Sequence, residues 1–471
     1  MHSSIRCLAS LAIVSAAAAQ VPRGWAVASR FAFSAGQTGG LSVFHPLVPG
    51  AAQAITGLPA AITGIGLTPV VGAGSVLVDA TTGNVVVGTH APPGQPVNVF
   101  LITLTGTTAT AIQTYNLGTA GASAVGSTDQ MAWVGADILV SNRGQAMVSG
   151  PLAGAFLGWV RPSLGPPGTP GTVVPIPVAA TMTGTVNALA VDAQGQFAYL
   201  GRFTYSGTYT SYVYRIPLTG PSPAIPVLLT TVPDALLQLA FSADGLLLAD
   251  VGSLSGTTNV VHAIDVGTGA IVASWNAPGI AEVNGLAIDL PTGDMLIGDD
   301  TTGNVYRSSP LGGGLYGTPT LVTNCGFTIS GIALRPALST YGQPSYPPGA
   351  NTLTWVTAAN PGGGPNVGNL AFSLSLDSSP GADLGVLVLS LRPPTSPPPP
   401  PALLVPPLGI TLLLDPGTAL IYALVPPQLR STTPLPIPND PGLASFDIFA
   451  QMLCITPSGW SASAGLWITV F

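Results

Sequence analysis

Lysine is missing from this 471-residue chain, and charged residues of all kinds make up only 6% of it. The eleven basic residues are therefore all arginines, against eighteen acidic residues. A basic surface that could follow a phosphate backbone is absent, so a nucleic acid is not an expected partner. Sparse charge together with much glycine and proline would suit a disordered chain, but 47% of the residues are hydrophobic. The composition predicts a folded chain with large cores.

Apolar runs long enough to cross a bilayer are also missing, since about 20 residues are needed. The segment from Leu403 to Leu414 is short and is interrupted by two prolines. Near the amino terminus, Arg6 precedes a short apolar run that ends in three alanines, 17–19. This order is typical of a secretory signal, with cleavage predicted before Gln20. We therefore expect an exported protein (extracellular, cell-surface or periplasmic) without a membrane span.

Cysteine is scarce, and removal of residues 1–19 leaves only Cys325 and Cys454. Two thiols in an exported protein can pair. Their separation in sequence does not give their distance in space, so a disulfide and two buried free thiols both remain open.

One pattern recurs along the first two thirds of the chain. A short apolar run ends at a polar residue, a turn with glycine follows, and in all but the last copy more strand-like segments come after it. The runs end at Asp79, Ser141, Asp192, Ser242, Asp289 and Arg335. A buried strand followed by a tight Asp- and Gly-containing turn explains each copy. Four short strands in each repeat of roughly 40–50 residues are typical of a β-propeller blade.

The two ends of this repeat region complement each other. The last run, 332–335, has no outer strands after it, whereas segments 25–29, 41–44 and 51–56 have no inner strand before them. Together they would make one blade and close the ring. The prediction is an all-β, six-bladed propeller over residues 20–337, closed by pairing of its first and last strands. Seven blades remain an alternative because the step from Asp79 to Ser141 is the longest.

Two segments carry a resemblance to known propeller families. Residues 261–269 (VHAIDVGTG) resemble blades of YVTN and quinoprotein type, and residues 284–289 (NGLAID) resemble NHL-repeat and gluconolactonase blades. The resemblance covers about residues 21–337. It implies a propeller without choosing one family.

After the repeats, residues 338–365 are rich in proline and glycine and are expected to form a linker. Apolar strands return over residues 366–471 without blade spacing, which predicts a small β-sandwich. Segments 366–369 (NVGN), 435–441 (LPIPNDP), 449–451 (FAQ) and the closing 463–471 resemble a terminal module of exported planctomycete proteins. That module implies no activity.

The candidate ligand site lies where the inner strands begin, because all blades converge there. Asn187 and Asn284 each stand five residues before the end of an inner run, and Ser330 occupies the same place in the last one. Glu282, the only glutamate, is two residues before Asn284. The resemblance to gluconolactonases implies that the two asparagines bind a divalent metal, but the Glu-Gly-Pro segment of that family is missing. The alternative is that both asparagines only cap turns.

A catalytic inventory is nearly absent. The histidines His45, His90 and His262 do not accompany a suggestive nucleophile, and no Gly-x-Ser-x-Gly segment occurs. Asp294, Asp299 and Asp300 are expected in hairpin turns, because their spacing is not that of an EF-hand loop.

The favoured hypothesis is a non-enzymatic exported propeller that acts as a binding or cell-surface scaffold module. Its partner would be an unknown extracellular ligand or surface component. No cofactor is expected. The alternative is a metal-dependent, lactonase-like hydrolase with its site at the channel mouth, which would need a divalent metal. For a redox propeller of quinoprotein type, we find no cofactor ligands.

Overall fold

The computed structural model divides the chain into two compact units, Ala19–Arg335 and Pro336–Phe471. It describes residues 20–32, 38–47, 50–64, 71–80, 82–121, 126–143, 147–178, 185–219, 222–252, 259–289, 292–326, 329–336, 338–341, 355–358, 370, 372–377, 384–392, 403–405, 410–412, 414, 418–425, 431–440, 443, 446–456, 459–463 and 465–470. The predicted signal segment, 1–19, lies outside these residues. None of the described helices has the length and apolar character needed to cross a membrane.

The described residues of the first unit form short strands, one α-helical turn, Ala60–Thr63 (α1), and one 3-10 turn, Pro162–Leu164. Its strands are Ala26–Ala32 (β1), Gly40–Phe44 (β2), Gln53–Ala54 (β3), Val71–Val78 (β4), Val85–Ala91 (β5), Pro96–Thr105 (β6), Thr108–Ala120 (β7), Gly126–Ser127 (β8), Met131–Val134 (β9), Asp137–Ser141 (β10), Met147–Ser149 (β11), Leu157–Val160 (β12), Val173–Ile176 (β13), Thr185–Val191 (β14), Phe197–Tyr205 (β15), Tyr209–Pro217 (β16), Val227–Pro233 (β17), Ala235–Phe241 (β18), Leu247–Gly252 (β19), Asn259–Ile264 (β20), Ile271–Asn276 (β21), Val283–Asp289 (β22), Asp294–Asp299 (β23), Asn304–Ser308 (β24), Pro310–Gly312 (β25), Leu315–Tyr316 (β26), Thr320–Asn324 (β27) and Ile329–Leu334 (β28).

Twenty-four of these strands form six antiparallel groups of four, which we number as blades, and β8, β11, β25 and β26 lie outside these groups. The blades are β28-β1-β2-β3 (blade 1), β4-β5-β6-β7 (blade 2), β9-β10-β12-β13 (blade 3), β14-β15-β16-β17 (blade 4), β18-β19-β20-β21 (blade 5) and β22-β23-β24-β27 (blade 6). The first strand of each group touches the first strand of both neighbouring groups. These first strands are therefore the inner strands of a β-propeller.

Blade 1 joins the two ends of the unit. Strand β28 pairs antiparallel with β1, with Ala28 opposite Ile332 and Ala26 opposite Leu334. Strand β1 continues to β2, and β2 to β3. The strand pairing that the sequence predicts between the first and last segments of the propeller is present.

The inner strand of blade 3 differs from the expectation. The sequence assigns this role to the run that ends at Ser141, but that run is β10, the second strand. The inner strand is β9, which contacts the inner strands of blades 2 and 4. Strand β9 has only four residues, and after Met131 they are half-buried, whereas Ile138, Leu139 and Val140 are fully buried. The apolar pattern therefore indicates the second strand of this blade and not its inner strand.

The turns after the inner strands follow the predicted chemistry. After β4, the Asp79 side chain accepts a hydrogen bond from the Thr82 N–H at 3.1 Å. The Gly83 N–H donates to the Asp79 carbonyl at 2.8 Å, and Gly83 has φ of 72°, a conformation that favours glycine. The guanidinium of Arg335, just after β28, donates to the carbonyls of Ala80 and Val21. These bonds hold the far end of blade 1 against blade 2.

Two glutamines cross between alternate inner strands. The Gln130 side chain, directly before β9, accepts from the N–H of Leu189 in blade 4 at 2.6 Å and from that of Leu239 in blade 5 at 3.0 Å. The Gln238 side chain of blade 5 accepts from the Leu286 N–H of blade 6 at 2.8 Å and donates to the Ser330 carbonyl of blade 1 at 3.1 Å. Each glutamine thus ties its own blade to the next two.

Serine side chains make the remaining connections between neighbouring inner strands. The Ser330 hydroxyl of blade 1 donates to the Ala73 carbonyl of blade 2. The Ser75 hydroxyl of blade 2 donates to the Thr128 carbonyl at 2.7 Å, just before blade 3. Together with the glutamines, these bonds connect all six inner strands. We call this set of side chains the polar belt: Ser75, Gln130, Gln238 and Ser330.

The second unit is a β-sandwich in its described residues. Its strands are Leu338–Tyr341 (β29), Trp355–Ala358 (β30), Ser373–Asp377 (β31), Leu384–Arg392 (β32), Leu403–Val405 (β33), Ile410–Leu412 (β34), Ala419–Val425 (β35), Ser431–Pro434 (β36), Asp447–Thr456 (β37), Gly459–Ala462 (β38) and Gly465–Thr469 (β39). One sheet has the order β29-β39-β37-β32-β35 and the other β30-β31-β36. Leu374 of the second sheet shares a core with Leu387, Met452 and Ile468 of the first.

Two features of this unit bear on the sequence predictions. The stretch 338–365, expected as a linker, contains β29 and β30, which pair with β39 and β31. Cys454 lies buried in this unit and Cys325 in the propeller, and both are free thiols. Of the two alternatives for the cysteines, the structure has the buried free thiols.

Candidate functional site

All six inner strands begin at the same end of the propeller, which we call the upper mouth. The second strand of each blade runs antiparallel to the inner one and therefore ends there. The predicted residues lie at this mouth: Glu282 directly before β22, and Asn187, Asn284 and Ser330 near the starts of β14, β22 and β28. The upper mouth is thus the place to test for a ligand site.

The three predicted polar residues within strands share a local irregularity. The pairing register shifts at Asn187 and Asn284, and again at Ser330. Such β-bulges re-aim a side chain and are common next to functional sites. The glycine and leucine at the matching places of blades 2 and 5, Gly74 and Leu237, lie at bulges too. The bulge is therefore part of the blade, and the side chain placed on it is what varies.

Ser330 has a structural role. It is 5% exposed, and its hydroxyl bonds to the Ala73 carbonyl and lies 3.2 Å from the Ser29 hydroxyl. These contacts join blades 1 and 2, so the hydroxyl is committed to the polar belt and is not free to bind a ligand.

Asn284 belongs to a polar group around Gln238. Its side-chain carbonyl accepts from the Gln238 amide at 3.5 Å, and its side chain is also hydrogen-bonded to Asp300. Glu282 contributes its backbone here, because its carbonyl accepts from the Asp300 N–H at 2.9 Å. The structure therefore brings Glu282, Asn284 and the Ser330 backbone together through Gln238 and Asp300.

Asn187 stands apart from this group. It is 8% exposed, and its side-chain oxygen has no hydrogen-bond partner among the described residues. Among the described residues, it forms no hydrogen bond with Glu282, Asn284 or Ser330 through this oxygen. It presents an unused acceptor on the bulge of blade 4.

Asp250 is the principal residue that sequence reasoning missed. It lies in β19 directly opposite Gln238, which places the two side chains on the same face of the sheet. Asp250 is fully buried, and neither of its carboxyl oxygens has a hydrogen-bond partner among the described residues. The signal was available, since one acidic residue interrupts an otherwise apolar run, Leu246 to Val251.

Carboxyl groups of blades 5 and 6 act on one another electrostatically. Burial raises the pKa of Asp250 well above its ordinary value, and Glu282 adds to the rise. Burial also raises the pKa of Glu282, with a contribution from Asp299. Burial raises the pKa of Asp300 to about 7, and Glu282 adds to this while the bond with Asn284 opposes it. We call Asp250, Glu282 and Asp300 the acidic group.

Asp299 has a different role from its neighbours. Its carboxylate accepts from the backbone N–H groups of Ala281, Glu282 and Thr301 at 3.0–3.4 Å. It therefore organises the loop that enters blade 6 and the turn that leaves β23.

Other charged side chains also lie at the upper mouth. His90, near the end of β5, contacts the Asp129 carboxylate at 3.2 Å and stacks on Phe31. Burial lowers the pKa of His90, although Asp129 opposes this and Arg143 adds to it. Arg202, near the end of β15, lies over the Phe156 ring. The remaining histidines bond within their own neighbourhoods, His45 with the Leu47 N–H and His262 with Ser274.

The residues present do not fit the divalent metal that the gluconolactonase resemblance implies. Within the described part of the chain, no three Asp, Glu, His or Cys side chains lie close enough together to hold a metal ion. A calcium-type ion requires six to eight oxygen ligands. The acidic group is thus coupled through space without forming a chelating set.

The fold defines the class: an all-β propeller protein with a second, sandwich-type unit. No family model matches the chain, and no curated protein matches it. Among solved structures, a putative 6-phosphogluconolactonase from Bacteroides uniformis is similar at 12% identity and TM-score 0.39, over 75% of this chain and 91% of that one. A periplasmic gluconolactonase from Pseudomonas aeruginosa is similar at 16% identity and TM-score 0.38, over 62% and 80%. The activities in these names belong to those proteins.

The acidic group predicts an unusual pH dependence of stability. An acid whose pKa is higher in the folded than in the unfolded chain stabilises the fold below its unfolded pKa, and this contribution is lost as pH rises through the folded value. For Asp300 this loss extends from about pH 4 to about pH 7. Asp300→Asn should therefore raise the unfolding free energy at pH 8, on the order of 3 kcal/mol, and leave it unchanged at pH 4.

Calorimetric unfolding of residues 20–471 at pH 4, 6 and 8 measures this difference. The control is Asp265→Asn. Hydrogen bonds from the backbone and side chain of Thr268 and from the Gly267 N–H lower the pKa of Asp265, so its contribution is lost as pH falls. A pH profile for Asp300→Asn parallel to the wild type would contradict the prediction.

Proposed function

We propose that this protein is an exported binding propeller that holds a small polar ligand at the upper mouth, beside blades 5 and 6. The observation that carries the proposal is Asp250, a fully buried carboxyl group whose two oxygens lack partners among the described residues. Burying a polar group without a hydrogen bond destabilises a fold by about 1–3 kcal/mol. A ligand that supplies the missing bonds would account for its presence.

The surroundings of Asp250 support a ligand site over an isolated defect. Its neighbour across the sheet is Gln238, which holds Asn284 on the inner strand of the next blade. Glu282 and Asp300 act on the same region and have raised pKa values. Perturbed carboxyl groups that act on one another in one region are characteristic of functional sites.

Hydrolysis is the second candidate function, and one observation favours it. A carboxylate with a pKa of about 7, such as Asp300, is suited to act as a general base near neutral pH. Asp300 would then act as the general base, a role for which the sequence provides no suitably placed histidine. Since the acidic group does not fit a metal, this candidate is a hydrolase without a metal step.

Differential scanning fluorimetry of the mature chain tests the binding proposal with four probes: putrescine, calcium chloride, myo-inositol and glucono-1,5-lactone. A probe present at about 100 times its dissociation constant stabilises the fold by about 2.7 kcal/mol, which corresponds to a rise in Tm of roughly 5 °C. We expect at least one probe to give this rise with the wild type and with Asp265→Asn, and to lose it with Asp250→Asn.

Two outcomes would contradict the binding proposal: no probe shifts the wild type, or the shift survives in Asp250→Asn. The lactone samples also report on hydrolysis. Turnover that disappears in Asp300→Asn while Asp265→Asn retains it would favour the second candidate.

A further inference from the structure

Blade 5 has a carboxyl side chain where blades 2, 4 and 6 have glycine. Asp250 lies opposite the bulge region of its inner strand, and the second strands of blades 2, 4 and 6 have Gly88, Gly201 and Gly298 in this place. A Cβ atom at any of these glycines would come within 2.6 Å of a neighbouring side chain. Blades 2, 4 and 6 are therefore closed at this level, whereas blade 5 accommodates the carboxyl group of Asp250.

The space comes from the next inner strand. A Cβ on Gly201 would lie 2.1 Å from Leu236, and one on Gly298 would lie 2.6 Å from Ile329. The residue at the matching place beside blade 5 is Val283, which is one carbon smaller than leucine or isoleucine. The smaller side chain and the carboxyl group occur together at one blade boundary.

The unpartnered atoms at this boundary are all carboxyl oxygens, which accept hydrogen bonds once the groups are ionised. They are both carboxyl oxygens of Asp250 and one oxygen of Asp300. Among the described residues, no side-chain N–H group at this boundary lacks an acceptor. A ligand that completes this site must therefore bring hydrogen-bond donors.

Within the described part of the chain, the charges that act on this site are negative. The charged neighbours that act on Asp250 and Glu282 are other carboxylates, and the same holds for Asp300. Three acidic groups that lie close together resist ionisation unless a cation compensates their negative charge. The ligand should carry positive charge as well as donors.

A bare metal ion does not suit this arrangement, because no three ligating side chains converge in the described residues. An ammonium group does suit it. Each of its three N–H donors bonds an acceptor about 2.7–3.0 Å from the nitrogen, whereas a calcium-type ion holds its ligands at about 2.4 Å. The acceptors around an ammonium group therefore stand farther apart than the ligands around a metal ion.

We propose that Asp250, Glu282 and Asp300 form the binding site for the ammonium group of a small organic amine. This inference rests on the proposed binding function and names its ligand class. Asp250 is the specificity-determining residue, because it supplies two carboxyl oxygens at a place where blades 2, 4 and 6 have glycine. Glu282 and Asp300 supply the remaining negative charge.

Isothermal titration calorimetry of the full mature chain at pH 8 tests the proposal with three probes. Putrescine carries ammonium groups, tetramethylammonium chloride carries charge without N–H donors, and calcium chloride is a metal ion alone. We expect measurable binding of putrescine and at least tenfold weaker binding of the other two. Asp250→Asn and Glu282→Gln, which preserve side-chain size, should each weaken putrescine binding at least tenfold. Asp265→Asn is the matched control and should bind like the wild type.

Each other outcome has a definite meaning. Calcium binding that exceeds putrescine binding and depends on Asp250 would overturn the amine and leave the proposed binding function standing. So would an Asp250-dependent response to inositol or the lactone alone in the fluorimetric panel. Equal binding of tetramethylammonium would show that charge alone is recognised and would overturn the donor argument. If every probe fails in both experiments, the proposed function fails together with the amine.

Discussion

Gln238→Ala should lower the free energy of unfolding of the propeller by about 3 kcal/mol. Gln238 is 3% exposed, and its side chain bonds to the Leu286 N–H and to the Ser330 carbonyl. Alanine would leave both backbone groups buried without partners, and each such group destabilises a fold by about 1–3 kcal/mol. The effect is large because one side chain serves three blades.

Calorimetry or chemical denaturation of the mature chain measures this change. Gln95→Ala is the control, because Gln95 is exposed in a turn and its replacement should change stability by about 0.5 kcal/mol or less. Gln130→Ala should resemble Gln238→Ala, since it removes the acceptor of the Leu189 and Leu239 N–H groups. Equal stability of Gln238→Ala and the control would show that the polar belt does not support the fold.

Deletion of residues 20–60 should cause the chain to aggregate. The deletion removes β1, β2 and β3, so β28 loses its antiparallel partner. It also removes Val27 and Leu41, which are fully buried in a core shared with blade 2. An unpaired, apolar strand edge promotes association with other chains. Size-exclusion chromatography of the expressed deletion variant measures the loss of monomer.

A cysteine pair tests the same strand pairing without removing residues. Ala28 and Ile332 stand directly opposite each other, whereas Ala28 and Ala333 are offset by one residue and point to opposite faces. Oxidation should cross-link Ala28→Cys with Ile332→Cys and should not cross-link Ala28→Cys with Ala333→Cys. A soluble, folded deletion variant, or equal cross-linking of both pairs, would contradict the pairing.

Much of the propeller could be predicted because each blade has a recognisable local sequence pattern. The apolar run and the Asp–Gly turn lie within a few residues of each other, as at Asp79 and Gly83. Blade 3 was placed wrongly because its inner strand, β9, is short and mostly half-buried. The hydrogen bonds that tie this strand to other blades are made by Gln130, which lies just outside the strand, so an apolar pattern does not reveal them.

The candidate site was predictable only in part. Position relative to the turn identified Asn187 and Asn284, since the bulge recurs at a fixed distance from the end of each inner strand. Asp250 was missed because its importance depends on Gln238 across the sheet and on the next blade. Neither of these contacts can be inferred from the sequence pattern of a single repeat. Ser330 was identified as a ligand residue, but its hydroxyl serves the contact with blade 2.

The polar belt bears on how the number of blades can change during evolution. Propellers grow and shrink by duplication or loss of whole repeats. Gln130 connects blades 3 and 5 by way of blade 4, and Gln238 connects blades 5 and 1 by way of blade 6. A repeat added or lost within either arc would change the distance that one glutamine must span and would leave its backbone partners unmet. Between blades 1 and 3, the bonds of Ser330 and Ser75 join adjacent blades only. A change in blade number is therefore most readily tolerated in that part of the ring.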